Sequence, residues 1–71
     1  MMRVRVESYS GYKADERPVC FYLGKERHQV KEVLKQWRSP EGNYFRVRAN
    51  NGQVYTLRQA RQGFDNIWTI E

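Results

Sequence analysis

Residues 44–58 constrain the fold of this chain more than any other stretch. Two runs of strand-favouring residues, 44–49 and 53–58, flank the turn signal Asn50-Asn51-Gly52. Asn and Gly tolerate the positive φ angles that tight hairpin turns require. The stretch therefore predicts a β-hairpin at the centre of the fold.

The side chains of this hairpin decide between two registers. A two-residue loop would place Phe45 opposite Arg58 and Val47 opposite Thr56, which mixes apolar and charged residues on both faces. A three-residue loop, closed by Gly52 in the left-handed conformation, separates them. We predict this second register, with one apolar face and one face that bears three arginines. The apolar face then pairs Phe45 with Leu57, Val47 with Tyr55 and Ala49 with Gln53, and the other face pairs Tyr44 with Arg58, Arg46 with Thr56 and Arg48 with Val54.

Length and charge limit the classes of function. With 71 residues the chain has room for one domain, 1–71, and a domain of this size buries about 60% of its unfolded surface. Its 39% apolar and 14% aromatic residues are enough for a thin core. The 13 Lys and Arg against 8 Asp and Glu give a net charge of +5, which favours anionic partners such as nucleic acid or acidic proteins.

The single cysteine, Cys20, cannot form an internal disulfide, and secreted domains of this size usually need several. The N-terminal residues 1–7 alternate charge with valine and lack the apolar core of a signal peptide. The chain also contains no run of roughly 20 apolar residues that would span a membrane. We therefore expect a soluble, cytoplasmic protein with no membrane partner.

Two strands and a long loop are predicted in the first third of the chain. Residues 3–9 alternate between the two faces of a half-buried strand, with Val4 and Val6 on one face and Arg3 and Arg5 on the other. Gly, Pro and a charge cluster then predict a loop over 10–18. The apolar run 19–23 predicts a buried strand, with Val19, Phe21 and Leu23 inward and Cys20 on the opposite face.

The segment 27–38 is ambiguous between helix and strand. Val30, Val33, Leu34 and Trp37 fall at helical spacing, so an amphipathic helix is one interpretation. The segment lacks a clear N-cap, and the same residues fit a strand with one bulge near Glu32-Val33, which would place Val30, Val33 and Trp37 on the core side. We favour the bulged strand.

The rest of the chain completes an all-β pattern. Residues 39–43 predict a turn, 59–66 a polar connection, and 67–70 a last strand with Trp68 and Ile70 on one face. Short strands joined mostly by tight turns predict a strongly twisted antiparallel meander or a small SH3-like barrel of about six strands. The alternative is an α+β fold with one helix near 28–38.

A set of core aromatics and turn glycines spreads over most of the chain: Arg17-Pro18, Phe21 to Gly24, Val30-Lys31-Glu32-Val33-Leu34 with Trp37, Tyr44-Phe45-Arg46-Val47, Gly52, Tyr55, Leu57 and Trp68. This pattern resembles a group of short, uncharacterised bacterial domains of similar length, and it is similar to β-domains appended to proteins related to Y-family DNA polymerases. The resemblance implies a small β fold in a nucleic-acid or repair context. It assigns no role to any single residue.

Catalytic and metal-binding constellations are not recognisable in the sequence. His28 is the only histidine, so with Cys20 it does not complete a zinc site. No motif brings a nucleophile and a carboxylate to it as a triad would need, and Asp15-Glu16 are interpreted as a solvated pair in the loop. We predict that the chain is not an enzyme and uses no metal or cofactor.

The predicted arginine-bearing face is the strongest functional feature. Arginine binds phosphate with two hydrogen bonds, and aromatic rings stack on exposed bases. Arg3 and Arg5 would extend the patch if the first strand lies beside the central hairpin. We predict a basic accessory module that binds DNA or RNA through six residues: Arg3, Arg5, Tyr44, Arg46, Arg48 and Arg58.

The alternative function is an SH3-like protein-interaction module with no nucleic-acid role. In that interpretation Tyr12, Tyr22 or Trp37 line a groove, or an exposed strand edge accepts a peptide from another protein. The same aromatic residues fit a core position. The sequence sets neither the oligomeric state nor the choice between DNA and RNA.

Overall fold

Six antiparallel strands close into a barrel in the computed structural model of the chain, which describes residues 2–9, 17–62 and 65–71. The strands are β1 (Met2–Tyr9), β2 (Arg17–Leu23), β3 (Glu26–Ser39), β4 (Gly42–Ala49), β5 (Val54–Gln62) and β6 (Asp65–Ile70). Each strand pairs with its neighbours in sequence, and β1 pairs with β6 to close the sheet. The prediction of an all-β meander or small barrel is confirmed.

The central hairpin of β4 and β5 has the predicted register. Gly52 has a φ of 85°, and the amide of Ala49 donates a hydrogen bond to the carbonyl oxygen of Gln53 at 2.9 Å. This geometry is the three-residue loop that separates the apolar face from the arginine face. The pairs are Phe45–Leu57 and Val47–Tyr55 on the inner face, and Tyr44–Arg58, Arg46–Thr56 and Arg48–Val54 on the outer face.

The ambiguous segment is part of the long strand β3. Its pairing with β4 shifts register twice, between Val30 and Glu32 and between Val33 and Lys35. One extra residue at each shift converts strand alternation into the three-residue spacing that imitates a helix. The bulged strand is confirmed, with two bulges instead of the predicted one, and the helix alternative near 28–38 is wrong.

Trp37 lies on the opposite face from the one predicted. Val30 and Val33 pack against the core as predicted. The second bulge then shifts the phase again, so Trp37 pairs and stacks with Tyr44 on the outer face. The prediction that Trp37 faces the core is wrong because it allowed for a single bulge.

β2 begins earlier than the sequence predicts. Arg17 and Pro18, predicted to end the loop, pair with Tyr9 and Ser8 of β1 and belong to the strand. The remainder of the predicted loop, 10–16, lies outside the described residues, and with it Tyr12, Asp15 and Glu16.

The inward positions predicted for β2 are correct in part. Phe21 is fully buried and Leu23 packs against the core as predicted, whereas Val19 is 44% exposed. The pairing with β1 passes from Cys20 directly to Pro18, so Val19 is the extra residue of a bulge and its inward placement is wrong. Cys20 lies on the opposite face from Phe21, as predicted, and it is nevertheless fully buried.

The polar stretch 59–66, predicted as a connection, is mostly strand. β5 continues to Gln62, which pairs with Asp65 at the start of β6. Gln59 is only 9% exposed, and its side-chain oxygen accepts a hydrogen bond from Nδ2 of Asn43 at 3.4 Å. The prediction is wrong because polarity was interpreted as a loop, although a backbone paired on both sides accepts polar side chains.

The core lies inside the barrel and draws on every strand. Val4 of β1 and the predicted pair Trp68 and Ile70 of β6 join the apolar face of the central hairpin there. Phe45 and Trp68 are in contact, with ring centroids 5.6 Å apart. The buried cluster consists of Val4, Phe21, Phe45, Val47, Ala49, Leu57, Trp68 and Ile70, with Val6, Leu23, Val30, Val33 and Tyr55 packed against it.

Candidate nucleic-acid interface

The outer face of the central hairpin carries the three predicted arginines. Arg46 and Arg48 occupy alternate positions of β4 after Tyr44, and β5 places Arg58 opposite Tyr44. Their common face follows from the register of the hairpin, because alternate strand residues point to the same side. The structure therefore brings together four of the six residues predicted for the site.

β3 adds two residues to this face that sequence reasoning missed. Lys35 pairs with Arg46, and Trp37 pairs with Tyr44. Both residues reach the outer face only because of the second bulge in β3. The sequence would have revealed these two residues only if the bulge at Leu34 had been recognised. Leu34 is the extra residue of that bulge, and its side chain is exposed.

Arg3 joins the same face by an unexpected route. β6, and not the central hairpin, is the neighbour of β1, so the condition set for extending the patch is not met. Thr69 of β6 nevertheless pairs with Arg58 on one side and with Arg3 on the other. Arg3 is thus two strands from Arg58, or about 10 Å at the usual strand spacing. Arg5, also predicted for the site, is not part of this group. It pairs with Tyr22 of β2, and its guanidinium carbon lies 5.4 Å from the ring centroid of Tyr22.

We refer to the outer surface of β3, β4, β5, β6 and β1 as the basic face. Glu32 of β3 and Glu41 of the turn between β3 and β4 lie among these basic side chains, and both are engaged locally. Glu32 is bonded to Arg48, and Glu41 accepts a hydrogen bond from the hydroxyl of Tyr44 at 3.0 Å. The basic face is defined by Arg3, Lys35, Trp37, Tyr44, Arg46, Arg48 and Arg58.

Two rings form a flat platform within the basic face. Trp37 and Tyr44 stack with centroids 5.1 Å apart and planes only 3° from parallel. Tyr44 is 8% exposed, whereas Trp37 is half-buried. Lys35 Nζ and the Arg46 guanidinium carbon lie 5.3 and 5.5 Å from the Trp37 centroid, and such exposed cation–π contacts are worth about 0.5–1 kcal/mol each.

A second polar cluster lies on the outer face where β1 meets β2. The carboxylate of Glu7 accepts hydrogen bonds from the Tyr22 hydroxyl at 2.9 Å and the Cys20 thiol at 3.3 Å. The hydrogen bond from Tyr22, then that from Cys20, and the nearby charges of Arg27 and Arg5 lower the pKa of Glu7. The same hydrogen bond raises the pKa of Tyr22. This cluster ties the two strands together.

His28 is not part of either polar cluster. Its ring is 8% exposed and stacks on Phe21 with centroids 5.4 Å apart. Nε2 lies 3.4 Å from a carboxylate oxygen of Glu26, and the two groups lack hydrogen-bond geometry. Because His28 shares the inner face with Phe21 while the Cys20 thiol bonds outward to Glu7, the two potential catalytic groups do not meet.

The closure of the barrel leaves a cleft beside the basic face. Pairing between β1 and β6 is limited to Met2–Val4 with Ile70–Trp68. Past this short ladder the strands separate around a space of about 440 Å³. The cleft is lined by Arg3, Val4, Arg5, Val6, Ile67 and Trp68.

Neither a cluster of metal ligands nor a membrane-spanning helix is found in the described part of the chain. Within 2–9, 17–62 and 65–71, no three His, Cys, Asp or Glu side chains converge as metal ligands would. In the same ranges no helix has the length and apolar character needed to cross a membrane. The absence of enzymatic activity and of a metal site stays a prediction.

Comparison of the chain with protein-family models, with curated proteins and with solved structures finds no match. The resemblance to short bacterial domains and to the appended domains of polymerase-related proteins therefore stays a prediction. The geometry of the basic face is therefore the observation that bears on function.

Proposed function

We propose that this chain is a nucleic-acid-binding module that contacts its ligand through the basic face. One observation supports the proposal above all others: the strand registers gather Arg46, Arg48 and Arg58 on one surface, and Thr69 links them to Arg3. Arginine guanidinium groups bind phosphate oxygens with paired hydrogen bonds. A surface with several of them suits a polyanion better than a single small anion.

The local contacts of these side chains are compatible with binding phosphate. Nε of Arg58 donates to the hydroxyl of Thr69 at 3.3 Å, which orients the side chain along the face. Arg46 is exposed, and its guanidinium carbon lies over the ring of Trp37. The Arg48–Glu32 pair is about half exposed, and such pairs contribute only about 0–1 kcal/mol, so a phosphate can compete for Arg48.

The test is fluorescence anisotropy with labelled single- and double-stranded oligonucleotides at several salt concentrations. Each phosphate neutralised by the protein contributes roughly 0.7–0.9 to the slope of log affinity against log salt. The double variant Arg46→Ala, Arg48→Ala should weaken binding and reduce that slope by about 1.4–1.8. Lys25→Ala removes one charge from the exposed turn between β2 and β3, outside the basic face, and should leave the slope unchanged.

Two results would contradict the proposal at different levels. Absence of binding at micromolar protein in low salt rejects a nucleic-acid function. Binding with the same affinity and salt slope in the double variant as in the Lys25→Ala control rejects the basic face as the site. Circular dichroism of each variant establishes that the barrel has formed.

A protein-interaction module is the second candidate function, and the cleft between β1 and β6 supports it. An extended acidic segment could add to the separated strand edges beside Arg3 and Arg5. The aromatic groove proposed for this role has less support. Tyr22 pairs with Arg27 of β3, whereas Trp37 lies ten residues further along the same strand, so the two rings do not line one groove. A pull-down after nuclease treatment discriminates: a partner that survives nuclease and is lost with Ile67→Lys favours this candidate.

A further inference from the structure

We propose that the basic face selects single-stranded nucleic acid, with one unpaired base stacked on the indole ring of Trp37. This inference rests on the proposed function and names its ligand class. The shared chemistry is an unpaired base flanked by phosphates, which single-stranded DNA and RNA both supply.

The indole ring of Trp37 is held ready for stacking. It lies nearly parallel to the ring of Tyr44, which is fixed in turn by its hydrogen bond to Glu41. Tyr44 is almost covered, so the surface available to a base belongs to Trp37. A ring that is already ordered loses little conformational freedom when a ligand stacks on it.

The cations over Trp37 fit this role. Lys35 and Arg46 are exposed and lie 5.3 and 5.5 Å from the ring centroid. A base that takes their place on the ring replaces these exposed cation–π contacts with a stacking contact. The displaced cations remain within reach of the phosphates on either side of that base.

The shape of the surface favours a flexible strand. The basic face is the outside of a closed barrel and is therefore convex. A duplex is itself convex, stiff over such distances and hides its base faces in the stack, so it would touch little of this surface. A single strand can follow the row Trp37, Tyr44, Arg58, Thr69 and Arg3, which crosses five strands and spans about 19 Å at the usual strand spacing.

The experiment compares three labelled probes of one sequence: single-stranded DNA, single-stranded RNA and the DNA duplex. A length of about 16 nucleotides covers the largest sites of small single-strand-binding barrels. Wild type should bind the single strands more tightly than the duplex. Trp37→Leu should weaken single-strand binding about tenfold or more, with less than about a twofold change for the duplex, and Trp37→Phe should retain most of the affinity.

Intrinsic fluorescence gives a second readout that does not depend on Trp37→Leu being folded. The chain has two tryptophans, and Trp68 is buried at 6% exposure against Phe45. Saturating single strand should therefore quench the emission of Trp37, and the quenching should be absent in Trp37→Phe.

Single-strand selection and nucleic-acid binding can be rejected separately. Equal affinity for duplex and single strand without quenching overturns single-strand selection and leaves nucleic-acid binding intact. Equal losses for duplex and single strand in Trp37→Leu also overturn it, because stacking on an unpaired base would then not be the contact removed. No binding of any probe at micromolar protein overturns both.

Discussion

Among single residues, Glu7 links β1 to β2 through hydrogen bonds to its carboxylate. Its carboxylate accepts hydrogen bonds from Tyr22 and Cys20, and Arg27 and Arg5 are close enough to favour the ionised form. These contacts lower the pKa of Glu7 from its ordinary value of 4.5. A carboxyl group whose pKa falls on folding makes stability depend on pH.

The pH dependence has a definite sign. Since the pKa of Glu7 is lower in the folded state, its contribution to stability is fully present above about 4.5 and is lost as the pH falls through the folded value. Glu7→Gln should lower the urea midpoint of unfolding at neutral pH. The difference between wild type and variant should shrink as the pH falls below 4.5, and a difference that stays constant with pH would contradict the assignment.

Single residues also show where sequence reasoning stops. The register of the central hairpin correctly predicts the face of Tyr44, Arg46 and Arg48, because a slip of one residue would expose the apolar side chains to water. Strand alternation alone gives the wrong face for Val19, which is the extra residue of a bulge, and for Trp37, which lies beyond one. A bulge reverses the phase of every later residue in its strand, and its position depends on the partner strand.

Among the elements, β3 explains why helix and strand were hard to separate. The inner residues Val30 and Val33 are three positions apart because Lys31 is the extra residue between them. The outer residues Glu32 and Lys35 repeat that spacing because of the second bulge. The three-residue periodicity is therefore present in the sequence, but two bulges in a strand produce it.

At the start of β4 the backbone passes close to β5. Gly42 has a φ of 139°, and a Cβ atom there would lie 2.3 Å from the carbonyl oxygen of Gln59 in β5. The backbone of β5 is paired on both sides and cannot move away easily. Only glycine fits this position without displacing that strand.

Gly42→Ala should therefore be far more damaging than the same change at another positive-φ glycine. Gly24, with a φ of 61°, has open space around its missing Cβ, so Gly24→Ala should cost only the backbone strain of about 1–2 kcal/mol. Gly42→Ala adds the clash with β5 and should cost about 3 kcal/mol or more. Equilibrium unfolding in urea measures both, and equal losses would show that β5 yields.

For the whole molecule, the sequence predicted the class of fold better than its closure. Alternation and turn residues indicate strands and hairpins locally, which is why six strands were expected. The closing contact joins Met2–Val4 to Trp68–Ile70, at opposite ends of the chain, and no local sequence pattern predicts it. The place of Arg3 in the basic face depends on this contact, because Thr69 of β6 lies between Arg3 and Arg58.

The closing ladder is also the shortest join in the barrel. Three residue pairs link β1 to β6, and the adjoining cleft separates the strands beyond them. Local opening requires less free energy where fewer contacts are broken.

The slowest backbone amide among residues 2–4 should therefore exchange with deuterium at least about tenfold faster than the slowest amides of the central hairpin, a difference of about 1.4 kcal/mol in the free energy of opening. Val47 and Leu57, both fully buried, provide the reference in that hairpin. Equal rates under conditions where exchange reports opening equilibria would mean that the barrel opens only as a unit. Arg3 would then be held as firmly in the basic face as the arginines of the hairpin.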